Sequence, residues 1–67
     1  MRDFVDRLNA GERNPWLAYE LCKRLRLTGL GQLQALAPQA DTDTLVEGWL
    51  EWEAVRGWQG VRDWAPT

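Results

Sequence analysis

The chain contains no histidine and only one cysteine, Cys22. No internal disulfide can form, and a structural zinc site lacks its usual ligands. Cys22 has no histidine to activate it as a nucleophile. No apolar run approaches the roughly 18 residues of a spanning helix, and the opening stretch from Met1 to Leu8 lacks the form of a secretory signal. Basic charge is not in excess either. Eight Lys and Arg stand against ten Asp and Glu, for a net charge of −2. Such a balance gives no strong electrostatic drive toward nucleic acid or an anionic membrane. No segment alternates with period two for long enough to read as a strand, and there is no phosphate-cradling loop of the Walker type. These absences lead to the expectation of a cytoplasmic, membrane-free, non-enzymatic protein with no metal and no cofactor.

What is present is tryptophan. The chain has 67 residues, five of them Trp, and reads as a single helical domain over 1–67. A domain this small buries only about 60% of the surface its unfolded chain exposes. Large apolar side chains must supply what a disulfide or metal does not, and each tryptophan can bury roughly 150–250 Å². Charge is divided unevenly: residues 1–26 carry six basic and four acidic groups, and residues 27–67 carry two basic and six acidic.

Periodicity predicts an all-α fold, a small bundle of three to four short helices over about 2–10, 15–26, 30–37 and 44–56, with a Trp-rich C-terminal tail. In the first, Phe4, Val5 and Leu8 share a face, Asp3 and Asp6 favour the N-terminus, and Gly11 is a natural stop. Asn14 and Pro15 form a start signal for the second, whose stripe is Leu17, Ala18, Leu21, Cys22 and Leu25. The third carries Leu30, Leu33, Leu36 and Ala37 and ends before Pro38. The fourth is expected to begin near Asp43 or Thr44, with Thr44 and Glu47 as a capping box. Leu45, Val46, Trp49, Leu50 and Trp52 give it a broad apolar face. Glu53 projects into that face, a sign that the face is not wholly buried within one monomer.

A short repeat follows. Val55-Arg56-Gly57-Trp58 recurs as Val61-Arg62-Asp63-Trp64. Valine and tryptophan three apart share a helix face. Gly57 and Gly60 each cost about 1 kcal/mol in a helix interior, so the expectation is a helix ending near Arg56 and a short tail folded back.

Several motifs weaken on inspection. Residues 20–28 resemble the first helix and turn of a helix-turn-helix, yet the following segment has two glycines and no basic residue. Gln32 and Gln34 have the chemistry to read adenine edges, but nothing nearby holds phosphates. Residues 27–31 resemble a helix-hairpin-helix turn, followed by Ala35 and Ala37, with Leu33 where that family favours a lysine. Tyr19, Lys23 and Arg26 form an aromatic-basic stripe at i, i+4, i+7, a secondary surface that an acidic partner or RNA could use; the competing reading is a solvated face. The carboxylates Asp41, Asp43, Glu47, Glu51 and Glu53 lack calcium-loop spacing.

The segment 47–64 resembles the C-terminal motif of the tail assembly chaperones of long-tailed phages, the minor tail protein T group. Trp49 matches the leading tryptophan, Trp52 the next aromatic, Val55 the aliphatic position, Trp58 the second aromatic, Arg62 the basic residue and Asp63 the acid. Gly57 replaces the motif's proline, and Gly60 falls one residue late. The resemblance implies a non-enzymatic binder of tail-tube or tape-measure subunits. Residues and resemblance together predict a small helical protein-binding module, with Trp49, Trp52, Trp58 and Trp64 as anchors and Glu53 and Arg56 beside them; at least two tryptophans are expected in the core and at least one partly exposed. Two alternatives stand beside it: a phage-encoded inhibitor of a host or defence protein, and a nucleic-acid-binding helical hairpin. A homodimer is one way to cover excess tryptophan surface.

Overall fold

The computed structural model describes the backbone of residues 2–64 and the side chains of residues 2–57. Four α-helices follow in order: α1 (Arg2–Asn9), α2 (Pro15–Leu25), α3 (Leu30–Leu36) and α4 (Thr42–Trp64). The described residues form no strand. The all-helical bundle expected from periodicity is the observed fold.

Each short helix ends where local chemistry requires. Gly11 takes a left-handed conformation, φ 93°, that glycine adopts at no steric cost. Its N–H donates to the Leu8 carbonyl at 3.0 Å and the Glu12 N–H to the Arg7 carbonyl at 3.1 Å, which satisfies carbonyls that the end of α1 leaves open. The Arg7 guanidinium spans the same turn to Glu12, through Nε at 3.0 Å and Nη2 at 2.6 Å. At the start of α2, Asn14 Oδ1 accepts the Trp16 N–H at 3.1 Å and Pro15 occupies the first helical position. The α2 C-terminus closes with Arg26 left-handed at φ 51°, while the N–H groups of Arg26 and Leu27 both reach the Cys22 carbonyl. This turn directs Leu27 back into the core, where it is buried with Cys22.

α3 is opened by an exchange between Thr28 and Gln32: the Thr28 N–H donates to Gln32 Oε1 at 2.9 Å, and Gln32 Nε2 donates to Thr28 Oγ1 at 3.2 Å. The side chain considered for base reading is thus engaged in holding a helix end. After α3, the Gln39 N–H donates to Asn9 Oδ1 at 3.0 Å, tying the loop to the end of α1.

α4 differs from expectation at both ends. It begins at Thr42, with Asp41 as the capping side chain: Asp41 Oδ2 accepts both the N–H of Thr44, at 3.1 Å, and its hydroxyl, at 3.0 Å. Thr44 is therefore the capped residue and lies buried; it does not itself cap the helix with Glu47. At the other end the helix continues through Gly57 and Gly60 to Trp64 instead of turning after Arg56. A helix nucleated upstream adds each further residue at little cost, so two glycines weaken it without stopping it.

The core draws on every helix: Leu8 from α1, Leu17, Ala18, Leu21 and Cys22 from α2, Leu33 from α3, and Leu45 and Trp52 from α4. α4 packs mainly on α2, and Gly48 makes that contact possible. A Cβ at position 48 would meet Ala18 Cβ, lie 2.7 Å from the Pro15 carbonyl oxygen and 2.9 Å from the Tyr19 nitrogen. The two backbones meet because one of them lacks a side chain.

Candidate functional site

Close approach at Gly48 has a consequence on the flank of the crossing. Beside the crossing the two helices leave a groove. Pro15, Trp16 and Tyr19 of α2 form one wall, and Glu47, Leu50 and Glu51 of α4 form the other, around a volume of about 590 Å³. Trp16 is 51% exposed and Leu50 60% exposed. Apolar side chains exposed singly are ordinary, whereas contiguous apolar patches mark interaction surfaces, and Trp16 and Leu50 border the same groove.

The Trp16 ring is held in place. Phe4 stacks against it edge to face, with centroids 5.6 Å apart and an interplanar angle of 77°. The Arg24 guanidinium lies 5.2 Å from the centre of the Phe4 ring and is itself bonded to Glu20 at 3.2 Å. The aromatic wall is thus braced from behind by α1, which lowers the ordering cost of binding against it.

The electrostatics of the two walls differ. Glu47 and Glu51 stand one helical turn apart on α4, and neither forms an ion pair among the described residues. Glu47 also borders a polar hollow with Arg13, Asp41, Asp43 and Thr44. There one cation stands among three carboxylates. The Asp41 carboxyl is held below its ordinary range, first by the Thr44 hydroxyl, then by the Thr44 N–H and nearby Arg13. Among the described residues, no group of three or more His, Cys, Asp or Glu is placed to hold a metal ion. Burial pushes the Cys22 thiol up to about 11, which leaves it protonated and a poor nucleophile at neutral pH.

The tryptophan segment divides. Trp52 is 7% exposed, and its indole N–H donates to the Leu27 carbonyl at 3.0 Å. This corrects the expectation that Trp52 anchors a partner: its ring and its only donor are committed to the core. Trp49 is half-buried against that core. Glu53 and Arg56 are bonded to each other at 3.3 Å, and Arg56 lies 5.9 Å from the Trp52 ring centre. That arrangement covers a core tryptophan, and Glu53 does not enter the buried face. The side chains of Trp58 and Trp64 lie outside the described residues. Of the aromatic-basic stripe, Tyr19 lines the groove, Lys23 is exposed, and Arg26 leaves the helix altogether at the left-handed cap. The stripe is therefore not a continuous helical surface.

Sequence reading overlooked Trp16 and the exposure of Leu50. Trp16 stands off the Leu17–Leu21 stripe and three residues before Tyr19, which is the spacing of a second aromatic face. Leu50 stands two residues from both Gly48 and Trp52, about 160° around α4 from each, so once Gly48 and Trp52 define the inner face, Leu50 must point out. Comparison with protein families, characterised proteins and solved structures finds no match for this chain in any of the three.

Proposed function

We propose that this chain is a small, non-enzymatic helical module that acts by binding another protein across the α2–α4 groove. One observation carries the reading: Trp16 and Leu50, both more than half exposed, border one groove whose aromatic side is braced by Phe4. Tryptophan and tyrosine are enriched among residues that dominate binding energy, and both are here. The narrower form of the proposal is a tail assembly chaperone whose partner is a tail-tube or tape-measure subunit. Its support is the segment 47–64, which begins with the α4 wall of the groove.

Affinity capture with the full chain tests the proposal, followed by titration of the purified captured protein. A saturable one-to-one complex, weakened at least tenfold by Trp16→Ser and by Leu50→Asp, is the expected result. Complex formation indifferent to both substitutions, or no saturable partner, removes the groove as the binding site. Recovery of a tail subunit supports the chaperone form; recovery of a host enzyme replaces it with an inhibitor.

A further inference from the structure

We infer that the occupant of this groove is a basic amphipathic helix of the partner, an inference that rests on the protein-binding reading above. A cleft between two helices takes the apolar face of a third. One large aliphatic or aromatic side chain of the partner sits between Trp16, Tyr19 and Leu50.

Charge decides the rest. No cation lines the groove: Arg24 is paired with Glu20 at 3.2 Å, Arg7 with Glu12 at 2.6 Å and Arg56 with Glu53 at 3.3 Å, and Lys23, exposed and without an ion pair among the described residues, is not among the lining residues. Arg13 faces Asp41, Asp43 and Glu47 together in the adjoining hollow. Glu47 and Glu51 on the rim are left without a paired cation among the described residues, so the complementary charge comes from outside. Their spacing of one turn matches Lys or Arg at i and i+4 on a helix laid along α4. A second copy docked through the same groove presents the same lining, two carboxylates and no cation, and so supplies no complementary charge there. A phosphate backbone is repelled by the two carboxylates.

The test uses the full chain and two labelled helical peptides, one of leucine and lysine with leucines on one face, the other with glutamate in place of every lysine. Binding is read by fluorescence anisotropy at physiological salt. The leucine–lysine peptide is expected to bind more tightly. Glu47→Lys combined with Glu51→Lys should weaken it about tenfold, as two reversed surface pairs imply, and should shift preference toward the leucine–glutamate peptide. Asp3→Lys combined with Asp6→Lys makes the same change in net charge on α1 and should alter affinity less than about threefold. Circular dichroism checks that each variant is folded. Equal weakening by the two double variants, or equal binding of the two peptides, overturns the inference. So does a dimer in light scattering that Leu50→Asp converts to monomer, since the occupant is then a second copy. If the peptides fail while a captured partner still depends on Trp16 and Leu50, the basic helix is wrong and the module reading stands; if both fail, both fall.

Discussion

The indole N–H of Trp52 donates to the carbonyl of Leu27 at 3.0 Å, and this bond joins α4 to the turn between α2 and α3. Leu27 reaches that position because Arg26 adopts a left-handed backbone, and Trp52 reaches it because Gly48, one turn earlier, seats α4 directly on α2. Removing the donor leaves a buried carbonyl unpaired. Trp52→Phe should therefore destabilise by roughly 1–3 kcal/mol and Trp52→Ala by about 3–5 kcal/mol. The second figure rivals the whole stability expected at this size, so urea denaturation should show Trp52→Ala largely unfolded and Trp52→Phe folded with a lowered midpoint.

The glycines of α4 should respond to alanine with opposite signs. Gly48→Ala drives a methyl into Ala18 and the α2 backbone, and overpacking of this kind costs typically about 1–3 kcal/mol. A Cβ at Gly57 meets nothing within 4 Å, so Gly57→Ala should gain roughly 0.5–1 kcal/mol from helix propensity alone. Thermal melts of the two variants beside the parent decide the matter. A Gly48→Ala variant as stable as the parent or more stable would mean that α4 does not contact α2 through position 48, and a destabilised Gly57→Ala would mean that position 57 is not open helix surface.

Arg26 is the one described non-glycine residue with positive φ, at 51°. That conformation costs a side-chain-bearing residue roughly 1–2 kcal/mol. Arg26→Gly should raise the melting temperature, with part of the gain offset by the greater entropy of the unfolded chain. A drop instead would assign the Arg26 side chain a contact worth more than the backbone strain.

Asp41 predicts the acid limb of stability. Its folded pKa lies below the ordinary value, first because the Thr44 hydroxyl donates to the carboxylate. The sign follows: the stabilisation is present above the unfolded value of about 3.9 and is lost as pH falls through the folded one. Asp41→Asn keeps an oxygen for the cap but does not titrate. Stability measured from about pH 5 down to pH 2 should therefore fall less steeply in the variant than in the parent.

Cys22 should be chemically silent. With its thiol raised to about 11 by burial and no exposed surface, it should resist a thiol reagent at pH 8 until urea opens the core. Fast labelling of the native protein would place Cys22 at the surface and α2 in a different rotation.

Much of the fold was legible from residues with a single local job. Asn14-Pro15 starts α2, Gly11 ends α1 and Pro38 follows the end of α3, as their backbone preferences require. The bounds of α4 were not legible, because both depend on tertiary or cooperative effects. Asp41 and Thr44 each have the chemistry of a cap, and the choice between them is made by burying Thr44. Gly57 and Gly60 read as breakers when taken alone. The groove was the least legible feature. Gly48 reads as a weakness until α2 is placed against it, and only then are Trp52 turned inward and Leu50 outward. An apolar count over 45–52 treats those two alike; their positions on the helix separate them.

The contact at Gly48 also bears on how the surface can change over time. Side chains elsewhere in the bundle can be exchanged and repacked, but the separation of α2 and α4 at that point is set by the Ala18 methyl and the main-chain atoms of Pro15 and Tyr19. The groove beside it inherits a fixed width. Substitutions at positions 16, 19, 47, 50 and 51 can then alter what the surface recognises without redrawing its shape, so specificity and architecture are free to vary on separate residues.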